Sequence, residues 1–259
     1  MFAVAVCSLS VERPQGGILE RAALVVSVGT DIGPALLAGL QAQGARVALL
    51  TDNAKAAGTR ADGVHRLLMK PGSRAAVQSA VDAAVAAIGT PDLAVLSVMP
   101  AVSVQLTELA DLPEAAWYES VRETLRTTLH VLQAIAPVLR ERGGSVIFLA
   151  PSLSLTGCPG LVALTAALEG QRGLMKSVAR QWGAAGITLN WVAVAPATLS
   201  PAFAQAPLAI KADAVPVALG RALDLGEEVV PVIAFLASPA GRKMTGATLC
   251  LDGGEWMLP

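Results

Sequence analysis

The sequence predicts an α/β fold in which a parallel sheet is covered by helices on both faces. Three observations carry that expectation. Short uninterrupted apolar runs, of the kind buried on both sides of a sheet, alternate with segments of helical period. The first such run leads through a glycine turn directly into a helical stretch. No linker, repeat or low-complexity segment divides the 259 residues, which suffice for one large core.

Ala22 to Val28 forms the first predicted strand, followed by Gly29, Gly33 and a helical pattern from Pro34 to Gln43 that Gly44 ends. Arg46 to Thr51 and Val64 to Met69 supply the second and third strands, Ser73 to Ile88 an amphipathic helix, and Leu93 to Val98 the fourth strand. Asp111 with Glu114 three residues later has the form of a capping box. Trp117, Val121, Leu125, Leu132 and Leu139 then recur at helical spacing until Gly143 and Gly144. Ser145 to Leu149 reads as the fifth strand, Leu161 to Ala184 as a helix, and Thr188 to Val194 as the sixth strand. Pro196, Pro201, Pro207 and Pro216 make the stretch to Gly220 a loop with short helical pieces. Glu227 and Glu228 suit a helix N-terminus, and Ala247 to Leu251 closes the sheet as a seventh strand. Residues 1–20 are an N-terminal extension and residues 21–259 the single domain.

Composition narrows the function classes. Charged residues are 15% of the chain, against about 25% in a typical soluble domain. Because the 54% hydrophobic share is spread along the chain, much of the surface is expected to be covered by other subunits. A net charge of −1 without a basic cluster speaks against nucleic acid. Cys7, Cys158 and Cys250 are widely spaced, as free thiols in a reducing compartment would be, so a cytoplasmic location is expected. No apolar stretch of about 18 residues suggests a membrane span, and the apolar start from Phe2 to Val6 lacks the preceding positive charge of a signal peptide.

Five strings occur in a telling order: Gly144-Ser145-Val146-Ile147, Pro159-Gly160, Gly186-Ile187-Thr188-Leu189-Asn190, Glu227-Glu228-Val229 leading to Phe235-Leu236-Ala237-Ser238, and Thr245-Gly246 through Asp252-Gly253-Gly254. With these the chain resembles the short-chain dehydrogenase/reductase family from about Arg21 to Met257, nearest its 3-oxoacyl reductase and hydroxyacyl-CoA dehydrogenase branch. The resemblance implies a Rossmann-like, doubly wound, seven-stranded parallel sheet. It also implies an NAD(P)-dependent oxidoreductase ancestry.

The residues that would do the chemistry depart from that pattern. The family's first turn runs Thr-Gly-x-x-x-Gly-Ile-Gly, because bare glycines let the backbone approach a pyrophosphate at a helix N-terminus. The matching stretch is Val26, Ser27, Val28, Gly29, Thr30, Asp31, Ile32 and Gly33, with only Gly33 in register. The Asp31 side chain is expected to fill the phosphate space, repel phosphates and cap the N–H groups that would receive them. Asp52 is the one weak candidate for an adenosine ribose, and it lies one residue past the usual place, Thr51. The family's adenine-contacting Asp is replaced near Met69, and its Asn-Asn-Ala-Gly stretch by Leu96, Ser97, Val98 and Met99. No cofactor is expected on this chain.

Hydride transfer at a hydroxyl carbon needs an acid/base, which the family supplies as a Tyr tuned by a Lys one helical turn later. Those positions hold Leu164 and Leu168; the family Ser is Pro151, and the relaying Asn is Thr124. The chain's single tyrosine, Tyr118, lies at the start of the long helix. A register shift would offer Ser152, Thr165 and Glu169, but a Thr beside a Glu has no proton to exchange near neutrality. Ser152, Ser154 and Cys158 have no positioned base as nucleophiles. His65 and His130, the only histidines, have no partners at metal spacing, so no metal is expected.

Expected, therefore, is a non-catalytic subunit that assembles with an active paralogue into a hetero-oligomer, a tetramer by family precedent. NAD or NADP would sit in the partner, which would act on a hydroxyacyl-CoA or related thioester. Apolar positions Val121, Leu125 and Leu132 on one helix, and Leu174, Val178 and Trp182 on another, would serve the core and a partner together; so would the apolar end from Trp256 to Pro259. Two alternatives remain open: an active oxidoreductase with displaced catalytic residues, and a small-ligand sensor using the vacated cleft.

Overall fold

The computed structural model describes residues 21–58, 65–99, 105–199, 203 and 217–257. The N-terminal extension, most of the proline-rich loop and the last two residues lie outside that set. Seven parallel strands form one sheet: β1 (Ala22–Val28), β2 (Arg46–Thr51), β3 (His65–Leu68), β4 (Leu93–Val98), β5 (Gly144–Pro151), β6 (Ile187–Val194) and β7 (Thr248–Leu251). Their order is β3-β2-β1-β4-β5-β6-β7, the doubly wound topology expected. Every residue of β1, β4, β5 and β6 is buried, which explains why these strands read as continuous apolar runs.

The helices are α1 (Gly33–Ala42), α2 (Ala54–Ala57), α3 (Arg74–Ile88), α4 (Glu114–Arg140), α5 (Leu153–Thr156), α6 (Val162–Trp182), α7 (Pro196–Leu199) and α8 (Val230–Ala237). The start of α4 corrects one expectation. Asp111 belongs to a short 3₁₀ turn over Leu109–Asp111, and Pro113 is the N-cap without a side-chain hydrogen bond, so no capping box forms. Proline sets the chain direction there, and its fixed φ suits the entry to the helix. The acidic pair at Glu227 and Glu228 does lie in the first turn of a π-helical segment, Leu225–Val229, that runs into α8. Asp224 caps it by accepting from the Glu227 N–H at 2.8 Å.

The recurrent strings have mechanical roles. Asn190, wholly buried in β6, donates from Nδ2 to the Met244 carbonyl at 2.9 Å and accepts on Oδ1 from the Ala247 N–H at 3.1 Å. Thr245 Oγ1 accepts from the Leu189 N–H at 3.1 Å. One amide and one hydroxyl, with the Gly246 N–H donating to the Leu189 carbonyl at 2.6 Å, thus fasten the connection into β7. At the amino-terminal end of β1, Arg21 pairs with Asp92 at 2.8 Å and donates to the Ala237 carbonyl at 2.7 Å, holding α8 to the base of β1.

At the centre of the β5–β6 pair, Phe148 and Trp191 stack with centroids 5.7 Å apart. The Trp191 indole N–H is buried without a partner, an expense of about 1–3 kcal/mol set against a large buried surface. Trp191→Ala is expected to cost about 3–5 kcal/mol in urea denaturation. Trp191→Phe should cost far less, because it removes the unpaired donor together with part of the volume.

Candidate functional site

In a doubly wound sheet, ligands sit beyond the carboxyl ends of the strands where the strand order reverses, here between β1 and β4. The turn after β1 is held by its own side chains. Ser27 is buried and hydrogen-bonds the Thr30 carbonyl at 3.0 Å and the Thr30 hydroxyl at 2.8 Å. Gly29 has φ of 65°, a left-handed conformation that favours glycine. A Cβ on Gly33 would lie 2.8 Å from Leu49 Cδ1, so this glycine is required for α1 to approach β2.

Asp31 behaves differently from the sequence expectation. The N-cap of α1 is Ile32, with no side-chain cap, and Asp31 does not close the helix end. Its exposed carboxylate instead accepts from Asn53 Nδ2 at 3.4 Å. Two local reasons account for this: Asp31 lies one residue before the cap, and Pro34 in the first turn has no N–H to offer. Asn53 is itself fixed, its Oδ1 capping α2 through the N–H groups of Lys55 and Ala56. Asp52 folds back over the turn, both oxygens accepting from the Gly29 N–H at 3.0 and 3.2 Å.

The rest of the groove floor is mostly apolar and buried. Met69 and Met99 are buried, tied through their N–H groups to the carbonyls of Thr51 and Val28 at 2.8 and 2.9 Å. Leu96, Ser97 and Val98 are also buried, and the Ser97 hydroxyl has no partner. Apart from Asp52, these residues do not fit a dinucleotide. Ser27 is spent on Thr30, Asp31 sets a carboxylate beside the helix end a pyrophosphate would need, and Met69 stands near where the family's adenine-contacting Asp would be.

At the catalytic positions, Pro151 ends β5 opposite Val194, and Leu164 and Leu168 are each 0% exposed, packed in the core. Thr124 is buried on α4, donating to the Ser120 carbonyl at 2.6 Å, while Thr128 donates to the Thr124 carbonyl at 2.8 Å. The polar residue that matters most was not singled out from the sequence. Gln171, 3% exposed, donates from Nε2 to the Val98 carbonyl at 3.2 Å and to Thr128 Oγ1 at 2.6 Å, joining β4, α4 and α6. Its signal was available: Leu164, Leu168 and Gln171 share one helical stripe.

The remaining candidates do not converge. Ser152 donates to Glu255, Thr165 to the Leu161 carbonyl at 2.9 Å, and Glu169 pairs with Arg172, so the register-shifted trio is dispersed. Ser154 bonds the Pro151 carbonyl at 3.4 Å, and burial pushes the Cys158 thiol up, away from a reactive thiolate. Cys158 and Cys250 are free. Tyr118 is 60% exposed on α4 with the Arg122 guanidinium 5.5 Å from its ring. Among the described residues, no group of three or more His, Cys, Asp and Glu side chains comes together as a metal site would need. No described helix is long and apolar enough to cross a membrane.

Comparisons with known proteins agree with the fold and the motifs. The sequence model of the family described as enoyl-(acyl carrier protein) reductase matches residues 28–255. The chain is 29% identical over 249 residues to a D-threitol dehydrogenase of Mycolicibacterium smegmatis, covering 90% of this chain and 92% of that protein. It is 30% identical over 249 residues to a probable galactose dehydrogenase of Rhizobium meliloti, covering 91% and 94%. Among solved structures, a 3-ketoacyl-(acyl-carrier-protein) reductase of Brucella melitensis complexed with NADH superposes with a TM-score of 0.79 at 20% identity, over 93% of this chain and 100% of that one.

Gln171→Leu is expected to destabilise the protein by about 1–3 kcal/mol by leaving the Val98 carbonyl without its donor. Gln171→Glu should cost more at neutral pH and recover as the pH falls, because only the protonated carboxyl can donate; thermal melting at two pH values checks both.

Proposed function

This chain belongs to the short-chain dehydrogenase/reductase family of NAD(P)-dependent oxidoreductases, and we propose that within it the chain is a non-catalytic subunit assembling with an active paralogue. The observation that carries this reading is the complete burial of Leu164 and Leu168 where a proton must be exchanged. The buried Met69 and Met99 support it, since they stand near the family's adenine-contacting Asp and at the end of its Asn-Asn-Ala-Gly stretch. In the assembly, NAD or NADP would be held by the partner, and the likeness to ketoacyl reductases makes a hydroxyacyl thioester the substrate class.

The α4/α6 face is the proposed contact. Leu132 and Trp182 are spent on the core, whereas Val121, Leu125, Leu174 and Val178 are half-buried and Leu129 is 42% exposed. On α6 the exposed residues include the small Ala166, Gly173 and Ser177 as well as Lys176, Arg180 and Gln181, and Gly170 lets the Leu125 side chain approach where a Cβ would be 3.1 Å from it. Small residues beside large apolar ones allow a second helix pair to pack closely.

A second reading, an active oxidoreductase with displaced residues, is favoured by the near full-length likeness to two proteins named as dehydrogenases. Asp52 also favours it, because its carboxylate over the Gly29 amide lies one residue past the family's ribose-binding acid. Titration with NADH and NADPH separates the two. The subunit reading expects no binding at micromolar concentration, and micromolar binding would establish the second.

Co-expression with an intact paralogue encoded in the same genome is expected to give a mixed oligomer whose activity disappears when the paralogue's tyrosine is replaced. A chain that only self-associates would end the subunit reading.

A further inference from the structure

The two helix layers over the sheet differ in charge. α3, α4 and α6 pack in a row on one face, and each of them carries charged residues. α1 and α8 pack together on the other face, and neither contains a charged residue. Gly39 lets these two helices meet, since a Cβ there would lie 2.9 Å from Val230 Cγ2. Ala35, Ala38 and Ala42 are exposed on α1, and Pro231 and Phe235, one helical turn apart, are exposed on α8. Phe235 is 47% exposed, and Val232 is half-buried near it. An apolar face without a charge is one that a protein covers.

The chain outside the described residues ends at this face. Arg21 leads into β1, and its guanidinium is fixed from two sides, by Asp92 at 2.8 Å and by the carbonyl of Ala237, the last residue of α8, at 2.7 Å. Residues 1–20 therefore join the fold within one side chain's length of the α8 C-terminus. Phe235 is two residues from Ala237, about 3 Å of helical rise. Ile18 and Leu19 precede Arg21 by three and two residues, within about 10 Å of extended chain. The segment suits an apolar face: Phe2 to Val6 form a second apolar block, and the only charged side chains before Glu20 are Glu12 and Arg13.

We propose that the chain's own N-terminal segment covers the α1/α8 face as a strap, with Ile18 and Leu19 packed on Phe235. Tethering favours this occupant over a second copy. A linked segment acts at an effective concentration in the millimolar range, about a thousandfold above that of a free protein at micromolar concentration. The strap lies across the sheet from the α4/α6 face, so its docking is independent of whether the chain is catalytic or has an active paralogue as partner.

A photocrosslinker at the face reads the occupant directly. With Phe235→p-benzoylphenylalanine in the full-length purified chain, irradiation is expected to give a product of monomer mass on a denaturing gel. Its tryptic map should show residue 235 joined to the peptide that ends at Arg21. A product of twice the monomer mass would assign the face to a second copy and overturn the strap, as would a monomer without that joined peptide. A double-mutant cycle pairs Ile18→Ala/Leu19→Ala with Phe235→Ala in urea denaturation. The combined loss in folding equilibrium is expected to be smaller than the product of the separate losses by about twofold or more. Losses that simply multiply would also overturn the contact.

Discussion

Helix α6 has to lay one stripe against the buried sheet, because a parallel sheet is stable only when both faces are covered. That stripe contains Leu164, Leu168 and Gln171, and it meets β6, α4 and the end of β4. In the family this same surface carries the reacting groups, so chemistry and packing compete for identical positions. Here packing holds all of them. Two leucines bury where a proton carrier would need water and substrate, and a glutamine amide, bonded to the buried Thr128, joins three elements.

The glycine turn shows a parallel replacement by electrostatics. Its bare positions hold Ser27 and Asp31, and the polar groups satisfy one another: Ser27 with Thr30, Asp31 with Asn53, Asp52 with Gly29. A loop whose Gly29 N–H is taken by Asp52, and which carries the Asp31 carboxylate beside the helix end, has little reason to gather phosphate oxygens. The Asp52 contact is also the feature most compatible with a retained ribose site, which is why cofactor binding decides between the two functional readings.

Much of the architecture was legible because the information was local. β1, β2 and β4 fall on the residues that apolar runs bounded by glycines and turns mark out. The start of α4 was misread because Asp111 and Glu114 satisfy a spacing rule while Pro113, between them, takes the cap. The short α2 and α5 are below the length at which periodicity speaks. At the site, Pro151, Leu164 and Leu168 could be placed by motif spacing, and Gln171 was readable from its stripe. The Ser152–Glu255 hydrogen bond was not, since its partners lie on different strands' ends and meet only after the sheet has closed. The turning of Asp31 away from the helix end depends equally on Asn53, a residue of the next strand's exit.

The Gln171 tie has a consequence for the life of the protein in a cell. A dehydrogenase that holds its cofactor gains stability in proportion to the logarithm of cofactor concentration, so its unfolded fraction follows the metabolic state. An amide fixed by covalent attachment to α6 is present at unit occupancy whatever the nucleotide pool contains. As the non-catalytic subunit we propose, the chain would turn over independently of redox supply, its core held by this amide instead of by a bound nucleotide.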